Sequence, residues 1–251
     1  GAPLPACATE EEPLPTYPVM LRFGAELPAD GRVGEYTVTL DEGWLVVGDW
    51  WIYGMDREAA GFAMVLPAGG VPKHAGHSHG EAEMETNVEG TFALDLLGEP
   101  ALLATNELTE GHYFDGSIRL RPCSDLYAPV FAEDQTPVGS DDPLWGHSMM
   151  LSGTATLDAS STYSFEITVD VEAMVTGLVY GGTVMEGGAD TITTSLDLGQ
   201  LLADLDFAAL ADVDGMVTIS PTTGGDTYNL IKARLQDPTL YLHIEAEAIP
   251  E

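Results

Sequence analysis

Nitrogen bases are scarce in this chain. Across 251 residues there are 8 Lys plus Arg against 41 Asp plus Glu, a formal net charge of −33 at pH 7. Such a field repels phosphates and anionic membrane surfaces and holds copies of the molecule apart, which argues against DNA, RNA or lipid headgroups as partners. The same field concentrates cations around any side chain able to bind one. General solubility or a salty habitat accounts for the acidity equally well. No run of 18 apolar residues occurs, so no transmembrane helix is expected. A glycine-rich phosphate loop, a G-x-S-x-G elbow and a C-x-x-C pair are also missing. With them go the usual signatures of nucleotide chemistry, serine hydrolysis and dithiol redox work.

Cysteine is limited to Cys7 and Cys123. In an oxidising compartment this even count predicts one disulfide between them, with two buried thiols as the alternative. "LPAC", residues 4–7, also resembles a bacterial lipobox, whose cysteine carries a lipid anchor, although Pro5 is an unusual occupant. The opening "GAPLPACATEEEPLPTYP" has neither the charged nor the apolar region of a signal peptide and reads as the start of a mature or trimmed exported protein. Residues 1–16 are therefore expected to form an acidic, proline-rich leader or tether. The expected location is extracytoplasmic: periplasm, cell surface or secreted.

Most of the remaining chain alternates with period two, is rich in Val, Thr, Tyr and Ile, and is broken at short intervals by Gly, Asp and Pro. Strands are expected at 17–24, 34–55 (two strands, or one bent at Gly43), 113–122, 147–157, 162–171, 176–186 and 190–198, among others. A hairpin should turn at residues 158–161. Two late segments carry helical spacing: 199–210, where Asp206 and Phe207 interrupt the pattern, and 226–238, with Asp226 as N-cap and Pro238 as stop. The expected fold is all-β, an antiparallel β-sandwich or alternatively a barrel, with one or two short helices near the C-terminus, and residues 17–251 forming a single domain. The longest loop, 122–145, is expected to cover one end of the sandwich.

The chemistry concentrates in "KHAGHSHGEAEME", residues 73–85, within a His-rich loop at 67–90. In extended chain His77, His79, Glu81, Glu83 and Glu85 share a face, because strand side chains alternate, and an i, i+2 imidazole pair can chelate one ion. Gly76 lets the backbone fold His74 towards that pair. Two or three neutral imidazoles plus a carboxylate suit zinc or copper. A further donor is expected from "WGHSMM", in the form of His147, with Met149, Met84 and His112 as weaker candidates; a thioether would tip the choice to copper. A solvated polar loop is the competing reading. "GDWWIYGM" (48–55) reads as aromatic core with one exposed ring, and the paired aspartates of 139–146 and 211–218 read as solvated turns rather than calcium sites.

Around the same stretch, His77, His79, Glu83 and Gly90 keep the spacing of the first metal motif of the cupins. That resemblance implies iron, manganese or another divalent ion at the mouth of a β-barrel. The second cupin motif is not matched: Pro143, Gly146 and His147 stand in the wrong spacing. The order of a His-Gly loop, then "GTFALDLL" (90–97), then "EGHY" (110–113) resembles uncharacterised bacterial envelope or secreted β-sandwich proteins, which implies an envelope location and metal contact but no reaction. The expectation is an extracytoplasmic protein that binds zinc or copper through His74, His77, His79, Glu81, Glu83 and His147, for sequestration, delivery or sensing, with a metal ion and another envelope protein as partners. A cupin-like metalloenzyme and an acidic adhesive surface domain are the alternatives, and no catalytic residue is assigned.

Overall fold

The computed structural model describes residues 14–55, 83–188 and 190–245. The period-two segments form two sheets packed face to face. The smaller, of order β13-β11-β1-β5, contains β1 (Thr16–Glu26), β5 (Ala101–Thr109), β11 (Thr191–Asp197) and β13 (Tyr241–Glu245). The larger runs β10-β6-β3-β8-β9-β12, from β3 (Tyr36–Met55), β6 (Gly111–Leu120), β8 (Met149–Asp158), β9 (Ser161–Val169), β10 (Ala173–Val184) and β12 (Met216–Ile219), with β2 (Arg32–Val33), β4 (Glu83–Asp95) and β7 (Val130–Phe131) at its side. The expected all-β sandwich is what forms, and most of its pairings are antiparallel. Three are parallel, β1 with β11, β9 with β12 and β4 with β7. Alternation of side chains encodes which face is buried and is blind to strand direction. The hairpin closes as expected, with Asp158 opposite Ser161. β5 escaped the sequence pattern, because its residues are half-buried at most positions and show little contrast between faces.

β3 organises the larger sheet. Its first half pairs with β8 (Thr37 opposite Thr156 through Leu45 opposite Met149), and on the same edge its second half pairs with β6 (Val47 opposite Leu120 through Met55 opposite His112). At the handover the Val46 N–H donates to the Ser148 carbonyl and the Val46 carbonyl accepts from Arg121 N–H. β4 runs along the opposite edge from Trp44 to Met55. The expected bend at Gly43 is replaced by register shifts along one continuous strand, at Asp41 against β8, at Asp49 against both β4 and β6, and between Tyr53 and Gly54 against β6. The Asp49 bulge moves the alternation by one residue, as bulges do. Leu45 and Val47 face the core before it, and Trp50 and Ile52 after it, all at most 1% exposed. Trp51 and Tyr53 lie half-buried on the outer face.

One apolar cluster runs from Val19 to Tyr241 and joins both sheets. Phe23 of β1 meets Trp50 of β3 edge to face, ring centroids 6.4 Å apart. A polar pin crosses the same layer. The Trp50 Nε1–H donates to Tyr180 Oη at 2.7 Å, and Tyr180 Oη lies 3.3 Å from Thr194 Oγ1 of β11. Burial pushes the Tyr180 hydroxyl well above its ordinary pKa, so it stays protonated and keeps its donor capacity.

The helices are short. α1 (Leu198–Leu202) is capped by Asp197, and α2 (Phe207–Leu210) by Asp206, which breaks the expected 199–210 helix at the expected place. α3 (Gly225–Arg234) begins at Gly224, whose φ of 85° favours glycine, so Asp226 falls in the first turn instead of capping. Pro238, expected as a stop, opens a 3₁₀ turn, Pro238–Leu240. No helix of the described residues is long and apolar enough to cross a membrane.

Tyr180→Phe should lower stability by roughly 1–3 kcal/mol, because it strands a buried indole N–H. Urea unfolding followed by tryptophan fluorescence measures this, and an unchanged midpoint would contradict the role assigned to the pin.

Candidate functional site

Of the expected metal donors, His74, His77, His79 and Glu81 lie outside the described residues, as does Cys7. Glu83 is described as backbone only, the first residue of β4. What can be located is the place from which the 56–82 connection leaves. Met55 pairs with Glu83 on one side and with His112 on the other, and His112 pairs with Thr183. Positions 83, 55, 112 and 183 thus form one row across four strands. With strands spaced about 4.8 Å apart, residues 83 and 112 are about 10 Å apart. The His112 Nδ1 sits 3.3 Å from Thr183 Oγ1, and its ring stacks on Phe114 at 6.4 Å. Pro15 arrives at the same end, accepting from Glu110 N–H through its carbonyl. Carboxylates of Glu85, Glu107, Glu110, Glu186 and Asp190 belong to strand ends and turns around this row.

His147 does not join that end. The handover near Val46 places it about nine residues along β3 from Met55, on the order of 30 Å at the rise of an extended strand. Its Nδ1 is 2.6 Å from Asp170 Oδ1. The Asp170 N–H donates to Tyr228 Oη, and the Asp170 carbonyl accepts from the same hydroxyl, each at 3.3 Å. A carboxylate on one ring nitrogen is how metal-binding histidines are oriented. Here the arrangement ties the loop before β8 to the β9–β10 connection and α3. Among the described residues no three His, Cys, Asp or Glu side chains converge as a metal site. Met149 is fully buried core. The paired aspartates behave as turns: Asp212 accepts from the N–H groups of Asp214 and Met216, and Asp142 from that of Leu144.

The 122–145 loop covers the outer face of the larger sheet instead of an end. Val138 and Leu144 of the loop close a second apolar cluster with Val46, Ala93 and Cys123. Arg121 fastens its start. The guanidinium lies against Gly48, where a Cβ would stand 2.8 Å from Arg121 Cδ. It donates through Nη2 to Asp49 Oδ2 at 2.6 Å and through Nη1 to Thr91 Oγ1 at 3.0 Å, and it lies 4.7 Å over the Tyr127 ring. The Tyr127 hydroxyl donates to Glu172. Nothing in the sequence singled out Arg121, Asp49 or Asp170, since their pairing spans up to 72 positions and depends on the bulge.

Cys123 is a free thiol with no exposed surface. Burial, reinforced by the Asp142 charge, pushes its pKa up to about 11. Its place beside Val46 is about 30 Å from the end where Pro15 enters, by the strand rise. Residues 7–15 span at most about 29 Å fully extended, so a bridge to Cys7 would need that stretch drawn straight and inserted into a closed cluster. Iodoacetamide at pH 8 should leave Cys123 unmodified in the native protein and alkylate it after urea unfolding without reductant, read by peptide mass spectrometry. Modification that requires reductant would instead establish the disulfide. Comparisons with protein-family models, with curated proteins and with solved structures found no match.

Proposed function

We propose that this is an extracytoplasmic transition-metal-binding protein, for zinc or copper, serving sequestration, delivery or sensing. Its donors are His74, His77 and His79 with Glu81 or Glu83. One observation carries the reading: three of the chain's six histidines fall within residues 74–79, followed by alternating glutamates that run directly into β4. Neutral imidazole brings one lone pair per ring, and an i, i+2 pair with a carboxylate fits either metal. Support comes from the carboxylates of the strand ends around residues 55, 83 and 112, which favour cation accumulation. His112 is the described imidazole nearest to that root and replaces His147 as the auxiliary donor, because His147 is engaged with Asp170 far along β3. If the cupin-like spacing of His77, His79 and Glu83 carries an open coordination position, the same donors would serve a metalloenzyme.

Titration calorimetry with Zn²⁺ and with Cu²⁺ on protein purified without chelator or nickel column should give about one equivalent per chain. In a His77→Ala, His79→Ala variant, affinity should fall by more than about 100-fold, beyond what loss of an outer-shell partner produces. Affinity unchanged in that variant ends the proposal.

A further inference from the structure

At the opposite end of β3 from residue 55, the strand has a gap in its pairing. β2 covers Tyr36 and Thr37, and the Val38 N–H donates to the Gly31 carbonyl. β4 takes up the same edge only at Trp44, after the Leu96 N–H donates to the Gly43 carbonyl. Between these two hydrogen bonds, from Thr39 to Glu42, no described strand pairs with β3 on that edge. Beside the gap is an open groove of about 490 Å³, floored by Val38, Leu40 and Leu198 and walled by Leu27, Pro28 and Leu96. An unpaired strand edge is a template for another strand, and natural proteins usually blunt it with lysine, proline or a covering loop. Here Pro28 and the turn before β2 flank the groove and the Asp41 bulge interrupts the strand, but no described strand pairs with residues 39–42 on this edge.

The groove also has a sign. Among the described residues no Lys or Arg lines it, and Asp30 does. At its Gly98 end, Asp95 Oδ2 and Glu133 Oε1 both lie 3.6 Å from the position a Cβ on Gly98 would occupy. The other oxygen of Asp95 accepts from the Leu97 N–H, and neither carboxylate is in an ion pair with a base among the described residues. Exposed Asp41 and Glu42 follow on the strand itself.

We infer that this gap binds an extended segment of a partner protein by strand addition, its apolar side chains entering the groove and its Lys or Arg side chains meeting Asp30, Asp95 and Glu133. Four strand residues cover about 14 Å, which matches the missing stretch of pairing. Main-chain hydrogen bonds to β3 supply affinity, and alternate side chains supply selectivity. The segment is cationic because, among the described residues, every charged group lining or capping the groove is a carboxylate. The site is separate from the metal-binding reading and does not rest on it.

Fluorescence anisotropy with a labelled hexapeptide of alternating valine and lysine tests this on the full chain. Two glycines provide matched variants. Gly98→Arg roots a cationic side chain at a Cβ position in ordinary contact, 3.6 Å, with the Asp95 and Glu133 carboxylates, and Gly182→Arg, with nothing within 4 Å of its Cβ position, adds the same charge at the far end of the molecule. The expected result is saturable binding, weakened at least about tenfold by Gly98→Arg and unchanged by Gly182→Arg. Binding should also be lost when alternate peptide amides are N-methylated, since strand addition depends on main-chain hydrogen bonds. Equal losses in both variants, or indifference to N-methylation, would show attraction to net charge alone and overturn the inference. So would sedimentation showing that the groove is occupied by a second copy, through a dimer that Gly98→Arg dissociates.

Discussion

The structure depends on one strand serving two sets of neighbours. β3 gives its first half to β8 and its second to β6 along a single edge, while β4 follows its other edge. That arrangement works only because the alternation slips by one residue at Asp49. Without the slip, Trp50 and Ile52 would face outward, and Trp51 and Tyr53 would enter the core. A one-residue change of phase exchanges the two faces of a strand, which is why register is so strongly specified wherever one face is buried. The bulge also sets the Asp49 carboxylate on the outer face, where Arg121 binds it and begins the loop that shields Cys123.

The same strand spaces the polar features of the molecule. The indole N–H of Trp50 and the hydroxyls of Tyr180 and Thr194 join the two sheets through their apolar layer. Arg121 and His147 each bind an aspartate beyond that layer, at Asp49 and Asp170. In a chain with 8 bases among 41 acids, such pairs are few, and each fastens a different loop. Exposed ion pairs contribute little in water. Arg121 differs, since only 13% of its side chain is exposed, and removing its partner would leave a nearly buried cation unpaired. The histidine-bearing connection leaves from one end of β3, and the unpaired edge lies towards the other, so the two readings of function draw on different parts of one strand.

Much of the fold was legible beforehand because burial of one face leaves a trace in every second residue. β1, the β8–β9 hairpin, the break at Asp206 and the short late helices follow from local rules of alternation, capping and turn chemistry. β5 did not show itself, since a half-buried edge has little contrast between faces. Asp226 misled as a cap because Gly224, in the left-handed region, starts the helix earlier. The candidate metal donors were legible as composition, and their clustering near residue 77 is a property of the chain alone. The partner of His147 was not legible, because a histidine can be assigned a distant neighbour only by the path of the sheet, and that path brings it to Asp170.

By itself, the sequence determined the class of fold, the acidic field and the local density of imidazoles, because these follow from period, charge count and short-range spacing. Only tertiary structure decided which strands run parallel, which face each half of β3 presents, and that Cys123 lies sealed beneath a loop. It also decided that residues 83 and 112 flank residue 55, and that four residues of β3 lack a described strand on one of their two edges. The physical reason is the same in each case. Pairing between strands is set by packing among residues far apart in the chain, and alternation along a single strand carries no information about which partner, or which direction, that packing selects.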